Sequence, residues 1–122
     1  LIQVGPAEQI VAERDGIILG SVLLYPPVAD AYAGGAAQAI WPEVRLLAVP
    51  PAARGQGVGT ALMRECERRA RHAGATTLGL HTMDAMQAAM HLYEQMGFQR
   101  APAFDFHLAE GVLIKGFYLL LA

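Results

Sequence analysis

The chain has a single cysteine, Cys66, which excludes any disulfide within it and any metal cluster built on several thiolates. Such a sequence suits a reducing compartment, and a cytoplasmic location is the expectation. Charge is also scarce, at 16% Asp, Glu, Lys and Arg among 122 residues, against about a quarter in ordinary domains. The net charge of −2 gives no basic field of the kind that gathers nucleic acid. Arg64, Arg68, Arg69 and Arg71 do cluster, and they read as the solvated face of a helix. No apolar run approaches the ~20 residues that cross a bilayer. The opening "LIQVGPAEQI" has no basic segment ahead of an apolar core, so no membrane partner is expected. His72, His91 and His107 stand at no metal-ligand spacing with Asp or Glu, and no metal is expected. With apolar residues at 54%, the low charge implies an apolar patch. It would serve a homodimer or be covered by sequence before Leu1, where the chain reads as N-terminally incomplete.

What is there fits one α/β domain over residues 1–122, long enough to bury roughly two-thirds of its surface. "QIVAERDGIILGSVLLYP" reads as two strands closed by Asp15-Gly16, a dipeptide whose left-handed geometry matches hairpin twist. Pro26 to Pro42, rich in Ala, Gly and Pro and carrying Tyr32 and Trp41, has no period and reads as a long loop. "EVRLLAV" is a strand stopped by Pro50-Pro51, since proline supplies no ladder N–H. Val58, Ala61, Leu62, Cys66, Ala70 and Ala73 recur at helical spacing, with Arg64, Glu67, Arg68 and Arg71 largely opposite and Gly74 as the stop. On that stripe Cys66 is a small buried residue.

"TTLGLHTM" is a further strand, and "DAMQAAMHLYEQMGF" a second helix. Asp84 is its expected N-cap, Gly97 its stop, and Met86, Ala89, Met90, Tyr93 and Met96 its apolar stripe. "FQRAPAFDFHL" and "VLIKGFYLLL" read as strands about a turn at Ala109-Glu110-Gly111. Single helices between the middle strands imply parallel pairing there, and hairpins at both ends imply antiparallel pairing outside, so the sheet is mixed.

The stretch "VPPAARGQGVGTALM" sets a glycine-rich loop directly against a helix start. Glycine lets a ligand approach the backbone closely, and the first N–H groups of a helix have no partner within it, so the place suits an anion such as a phosphate. A nucleotide-hydrolase phosphate loop does not fit, because Gly59 is followed by Thr60 with no lysine beside it. A dinucleotide fingerprint fits poorly as well: the third glycine of its spacing is missing, and no acidic residue ends a strand about 20 residues on.

Arg54-x-x-Gly57-x-Gly59, standing as "RGQGVG" after "LLAVPPAA", resembles the signature of the GNAT superfamily of acetyl-CoA-dependent N-acyltransferases. A second motif of that family, Ala-x-x-Leu-Tyr-x-x-x-Gly-Phe, stands as "AMHLYEQMGF" from Ala89 to Phe98. The resemblance runs from about residue 9 to the C-terminus and omits the first strand and two helices that the family places earlier. It implies a GNAT-like fold that moves an acetyl group from acetyl-CoA to a primary amine on a small molecule or peptide. It further implies that Arg54, Gly55, Gln56, Gly57, Val58, Gly59 and Thr60 hold the pyrophosphate of coenzyme A. Leu47, Ala48 and Val49 would splay from the neighbouring strand and pair with the pantetheine arm, with the Leu47 N–H polarising the acetyl carbonyl. The acceptor groove would be shaped partly by the last hairpin, around Phe104 to Gly111.

By the same resemblance Tyr93, beside the cofactor, is the acid that protonates the leaving sulfur, and Glu43 is a general base. Glu43 alternatively reads as an exposed carboxylate at a strand end. His81, following a strand near the site, is a candidate proton carrier or a structural histidine. Where many members carry an asparagine seven residues before the tyrosine, this chain has Met86, whose sulfur cannot replace an amide's paired donor and acceptor. That departure keeps a second function in view, a non-catalytic acyl-CoA-binding or regulatory module.

Overall fold

The computed structural model describes residues 7–27, 41–84 and 86–121. Most of the expected Pro26–Pro42 loop, Tyr32 included, lies outside them. The first hairpin joins β1 (Glu8–Arg14) to β2 (Ile17–Tyr25). Asp15 and Gly16 both take positive φ, at 51° and 80°, the paired left-handed turn that lets two right-twisted strands close. β2 pairs antiparallel with β3 (Glu43–Ala48), and β3 pairs parallel with β4 (Thr77–Thr82). Between these last two runs α1 (Val58–His72), and after β4 comes α2 (Gln87–Gln95).

The sequence ahead of the final hairpin forms two strands where one is expected: β5 (Gln99–Arg100) and β6 (Phe106–Ala109), split by a short 3-10 turn at Pro102–Phe104. Pro102 has no N–H to give a ladder. Asp105 just beyond it takes the Gly116 N–H at 2.8 Å and two bonds from Arg100, which fixes the break. β7 (Val112–Leu120) pairs antiparallel with β4, β5 and β6. The strand order β1-β2-β3-β4-β7-β5 is the mixed sheet that the hairpins and crossovers imply.

Val22, Val44, Leu78 and Leu80 of the sheet pack against Leu62, Met63, Cys66 and Ala70 of α1, with Tyr93 and Phe117 completing the core. Burial pushes the Cys66 thiol up to about 12, so it is an inert core residue. The buried stripe of α1 is turned slightly from the expected one. Ala61 and Ala73 are exposed, Met63 is fully covered, and Glu67 is only 5% exposed. Glu67 tolerates that position because Arg64 and Arg71 reach it at 3.1 and 3.0 Å from the turns on either side.

Gly74, at φ 86°, closes α1: its N–H bonds the Arg71 carbonyl while the Ala75 N–H reaches back to Ala70. On the outer face Arg68 and Arg69 hold the Glu65 carboxyl down at about 2. A depressed carboxylate stabilises the fold above its ordinary value of 4.5, and that contribution fades as pH falls toward 2. Glu65→Gln should therefore flatten the fall in melting temperature across that range. Parallel curves for the variant and parent would contradict this.

Apolar side chains do reach the surface, among them Ile17 and Ile18 of the first hairpin and Leu108 and Leu120 of the last strands. No helix among the described residues is long and apolar enough to cross a membrane.

Candidate active site

The site begins where two parallel strands part. β3 pairs with β4 only at Glu43 and Val44, and beyond Val44 the ladder stops. On its other edge, Leu23 and Ser21 of β2 face Arg45 and Ala48, so β3 carries one extra residue there. That residue is accommodated by Leu46 at φ 56°, a left-handed conformation that costs a non-glycine residue about 1 kcal/mol or more. The bulge leaves the Leu46 side chain 71% exposed while Leu47 packs partly on the core. The opening therefore starts at Arg45, two residues before the expected splay at Leu47. Ala48 still pairs with Ser21 and lines neither side of the gap.

Past Pro50 a 3-10 turn leads into the glycine loop. Arg54 sends its Nε back to the Val49 carbonyl at 3.0 Å, tying the loop to the strand end. Gln56 bonds the Ala52 carbonyl and receives Arg14, so its side chain braces the loop and does not line the cavity. Gly57, at φ 78°, is the N-cap of α1, and the first helical bond runs from Ala61 N–H to its carbonyl. The N–H groups of Val58, Gly59 and Thr60 thus lack acceptors within the helix. These residues, with Leu47, Val49, Arg54, Gly55 and the start of α2, enclose a cavity of about 450 Å³.

Gly55 and Gly57 both have positive φ and no protein atom within 4 Å of where a Cβ would stand. A pyrophosphate and its thioester-bearing arm fit this donor set, since unpaired helical N–H groups and Arg54 face an open, partly apolar cleft.

A second cavity, of about 290 Å³, adjoins the first and shares Leu47, Met86 and Ala89 with it. Tyr93 lines it, is 6% exposed, and its hydroxyl has no hydrogen-bond partner among the described residues. Burial, helped by Cys66, pushes that hydroxyl up to about 12, so it carries its proton at neutral pH. The second sequence motif has a local physical reason. Gly97, at φ 95°, gives its N–H to the Glu94 carbonyl, and the Phe98 N–H reaches back to Tyr93. Phe98 then lies against the Tyr93 ring at 5.8 Å, clamping the tyrosine at the end of α2.

The start of α2 departs from the expected pattern. Asp84 does not cap it; the N-cap position is Met86, with no side-chain cap bond, and Asp84 instead pairs with Lys115 at 2.6 Å. Met86 is 51% exposed at the junction of the two cavities, and its sulfur accepts a hydrogen bond from the buried Thr82 hydroxyl at 3.5 Å.

Glu43 is not the exposed strand-end carboxylate of the alternative reading: it is 2% exposed and lines neither cavity. Trp41, packed on Phe104 at 5.0 Å and lying over Gly79, closes that side. Glu43 meets the second cavity through His81, whose Nδ1 is 2.9 Å from its Oε1 and which does line the cavity. The other ring nitrogen, Nε2, lies 2.9 Å from the Phe104 carbonyl. Glu43 Oε2 is buried with no hydrogen-bond partner among the described residues. Burial alone would depress the His81 imidazolium, but the Glu43 carboxylate and the Phe104 carbonyl outweigh it and raise His81 above its ordinary value. With a neutral ring donating to Phe104, Nδ1 would face the Glu43 carboxylate as one acceptor facing another. A single proton between them relieves this.

Phe106 and Leu108, which also line the second cavity, fall in the Phe104–Gly111 stretch expected to shape the acceptor groove, whereas Leu46, Met83 and Ile114 on the same wall carry no sequence signal of a site. Among the described residues, no three His, Cys, Asp or Glu side chains gather as a metal site.

Two cavities thus meet at a parted parallel pair, one at a helix N-terminus and one lined by a proton-bearing tyrosine. A family model described as the acetyltransferase (GNAT) family matches residues 3–98, and the chain belongs to that family. Mycothiol acetyltransferase of Cellulomonas flavigena is 35% identical over 96 residues, 78% of this chain and 27% of that protein. Amino-acid acetyltransferase of Azotobacter vinelandii is 37% identical over 89 residues, 73% of this chain and 18% of that protein. The chain thus spans only a minor share of these relatives' length. Among solved structures, nourseothricin acetyltransferase superposes with a TM-score of 0.71 at 28% identity, covering 96% of this chain and 66% of that one. A Bacillus anthracis protein described as a streptothricin acetyltransferase, solved with acetyl coenzyme A, gives 0.76 at 20% identity, covering 96% and 64%. At that identity the likeness concerns the fold.

Proposed function

We propose that this chain is the catalytic part of an N-acetyltransferase that moves an acetyl group from acetyl-CoA to a primary amine in a ternary complex. The observation that carries the reading is the junction of the two cavities at Leu47, Met86 and Ala89, where a thioester from one side can meet an amine from the other. Acetyl-CoA supplies the activated acyl group. Leu47 N–H meets the charge that develops on the carbonyl oxygen, a contribution of roughly 3 kcal/mol for a well-aimed donor. As the amine nitrogen bonds to the acetyl carbon and the carbon–sulfur bond breaks, Tyr93 gives its proton to the sulfur and recovers one from solvent.

The amine sheds its proton to water, and the His81–Glu43 pair takes it up from there, because both ring nitrogens are engaged inside the wall, Nδ1 by Glu43 and Nε2 by the Phe104 carbonyl. His81 holds the wall position and Glu43 raises its basicity from behind. The base role expected of Glu43 thus becomes a shared one. The lone, buried Cys66 supports a reducing cytoplasm as the working compartment, and the exposed Ile17 and Ile18 support pairing of two copies.

The cofactor half of the proposal is tested by a matched pair of glycine variants. Gly57 and Gly16 have nearly the same φ, 78° and 80°, and neither has a protein atom near the position of a Cβ, but only Gly57 lines the cavity. Gly57→Ala and Gly16→Ala should each lose a similar ~1 kcal/mol of stability. Only Gly57→Ala should also weaken coenzyme A binding in calorimetry, by about tenfold or more. Equal affinity in the two variants would remove the loop from the cofactor site.

A further inference from the structure

Three large apolar side chains that stand in solvent surround one opening. Leu46 of β3, Met86 at the start of α2 and Leu108 of β6 are 71%, 51% and 65% exposed, and all three line the second cavity. Exposed apolar groups gathered at the mouth of a cavity mark a surface that a ligand covers. Leu46 is doubly unusual among them. The bulge accounts for the left-handed backbone at this position, φ 56°, but not for a leucine in it, since glycine, asparagine or aspartate takes that conformation with less strain. Packing does not account for the leucine either, because a side chain so exposed gains little from burial within its own chain.

From this we infer that Leu46 is a specificity-determining residue, and that the acceptor is a primary amine on an apolar chain whose carbons cover Leu46, Met86 and Leu108 while its nitrogen reaches the junction of the two cavities. The inference rests on the acetyl-transfer reading and names the acceptor class of that same site. The path from the mouth to the junction runs past Val44, Leu47 and Ile114, which are less exposed and also apolar. An alkyl chain laid along it leaves water against hydrocarbon on both sides, so each added methylene strengthens binding. Leu46 contributes to that contact from the rim, where its own exposed surface is covered at the same time.

The matched acceptors are propylamine and hexylamine, alike in basicity and differing by three methylenes, with ethanolamine and free amino acids as further acceptors. Thiol release from acetyl-CoA and melting temperature are followed for the parent and for Leu46→Asn, which removes the apolar side chain but suits the left-handed backbone. The parent should favour hexylamine in kcat/KM by about tenfold or more, full burial of a methylene being worth roughly fourfold. Leu46→Asn should lower kcat/KM for hexylamine by about fivefold, change it for propylamine by less than about twofold, and melt no lower than the parent. Equal use of the two alkylamines by the parent, or an equal loss or no loss for both in the variant, would overturn the inference while leaving acetyl transfer standing. Thiol release with ethanolamine or an amino acid but with neither alkylamine would do the same. A lower melting temperature for Leu46→Asn would mean that the chain itself covers this leucine, and would also overturn the inference. Release with none of these acceptors would remove acetyl transfer and the inference together.

Discussion

Tyr93→Phe is expected to lower turnover roughly 100-fold, within the span seen for loss of a positioned acid, with folding and coenzyme A affinity nearly intact. The substitution keeps the ring, which is held by Phe98 and the apolar core, and removes only a hydroxyl that no described residue engages. Stability should therefore change little, since no buried partner is left unpaired. The effect falls on the thiolate, which must leave without the proton that Tyr93 carries at neutral pH. A single-turnover measurement isolates that step from product release. A phenylalanine variant that matches the parent there would make Tyr93 a core aromatic and nothing more.

Glu43→Gln should reduce the plateau rate by about 100-fold and also move the pH profile, in a direction that a purely structural role would not produce. While the His81–Glu43 pair holds its extra proton it cannot accept the amine's, so activity should rise with pH through a value above that of an ordinary imidazole. Glutamine removes the carboxylate that raises His81 and leaves the burial that lowers it. The rising limb should therefore shift to lower pH even as the plateau falls. A limb that stays in place, at whatever plateau, would assign the base to another group or to water alone.

Much of this fold is legible because single residues punctuate it. Asp15-Gly16, Gly74 and Gly97 each occupy a left-handed position that side chains avoid, and each marks an element end correctly. The glycine loop ahead of α1 is legible for the same reason, with Gly55 and Gly57 at positive φ. The bulge at Leu46 is not, because a leucine in the left-handed region carries no compositional mark and is imposed by the pairing of β3 with β2. The alternative reading of Glu43 as an exposed carboxylate fails because its partner His81 stands 38 residues away on the neighbouring strand. Glu67 is misplaced on helical spacing alone, since two arginines one turn away let a carboxylate occupy a buried position. Asp84 looks like a cap until Lys115, on a strand distant in sequence, draws it away. At Leu46, Glu43 and Asp84 a tertiary partner overrides a local pattern, whereas at Glu67 neighbours on the same helix do so.

The central claim is that the two cavities are halves of one reaction centre. It is tested most directly by mixing the protein with acetyl-CoA and primary amines and measuring free thiol and acetylated amine, by mass spectrometry, in the same samples. The expected result is amine-dependent thiol release matched one for one by the N-acetyl product, lost in step in Tyr93→Phe. Tight calorimetric binding of coenzyme A with neither thiol nor acetylated product from any amine would contradict it, and would make the chain an acyl-CoA-binding module.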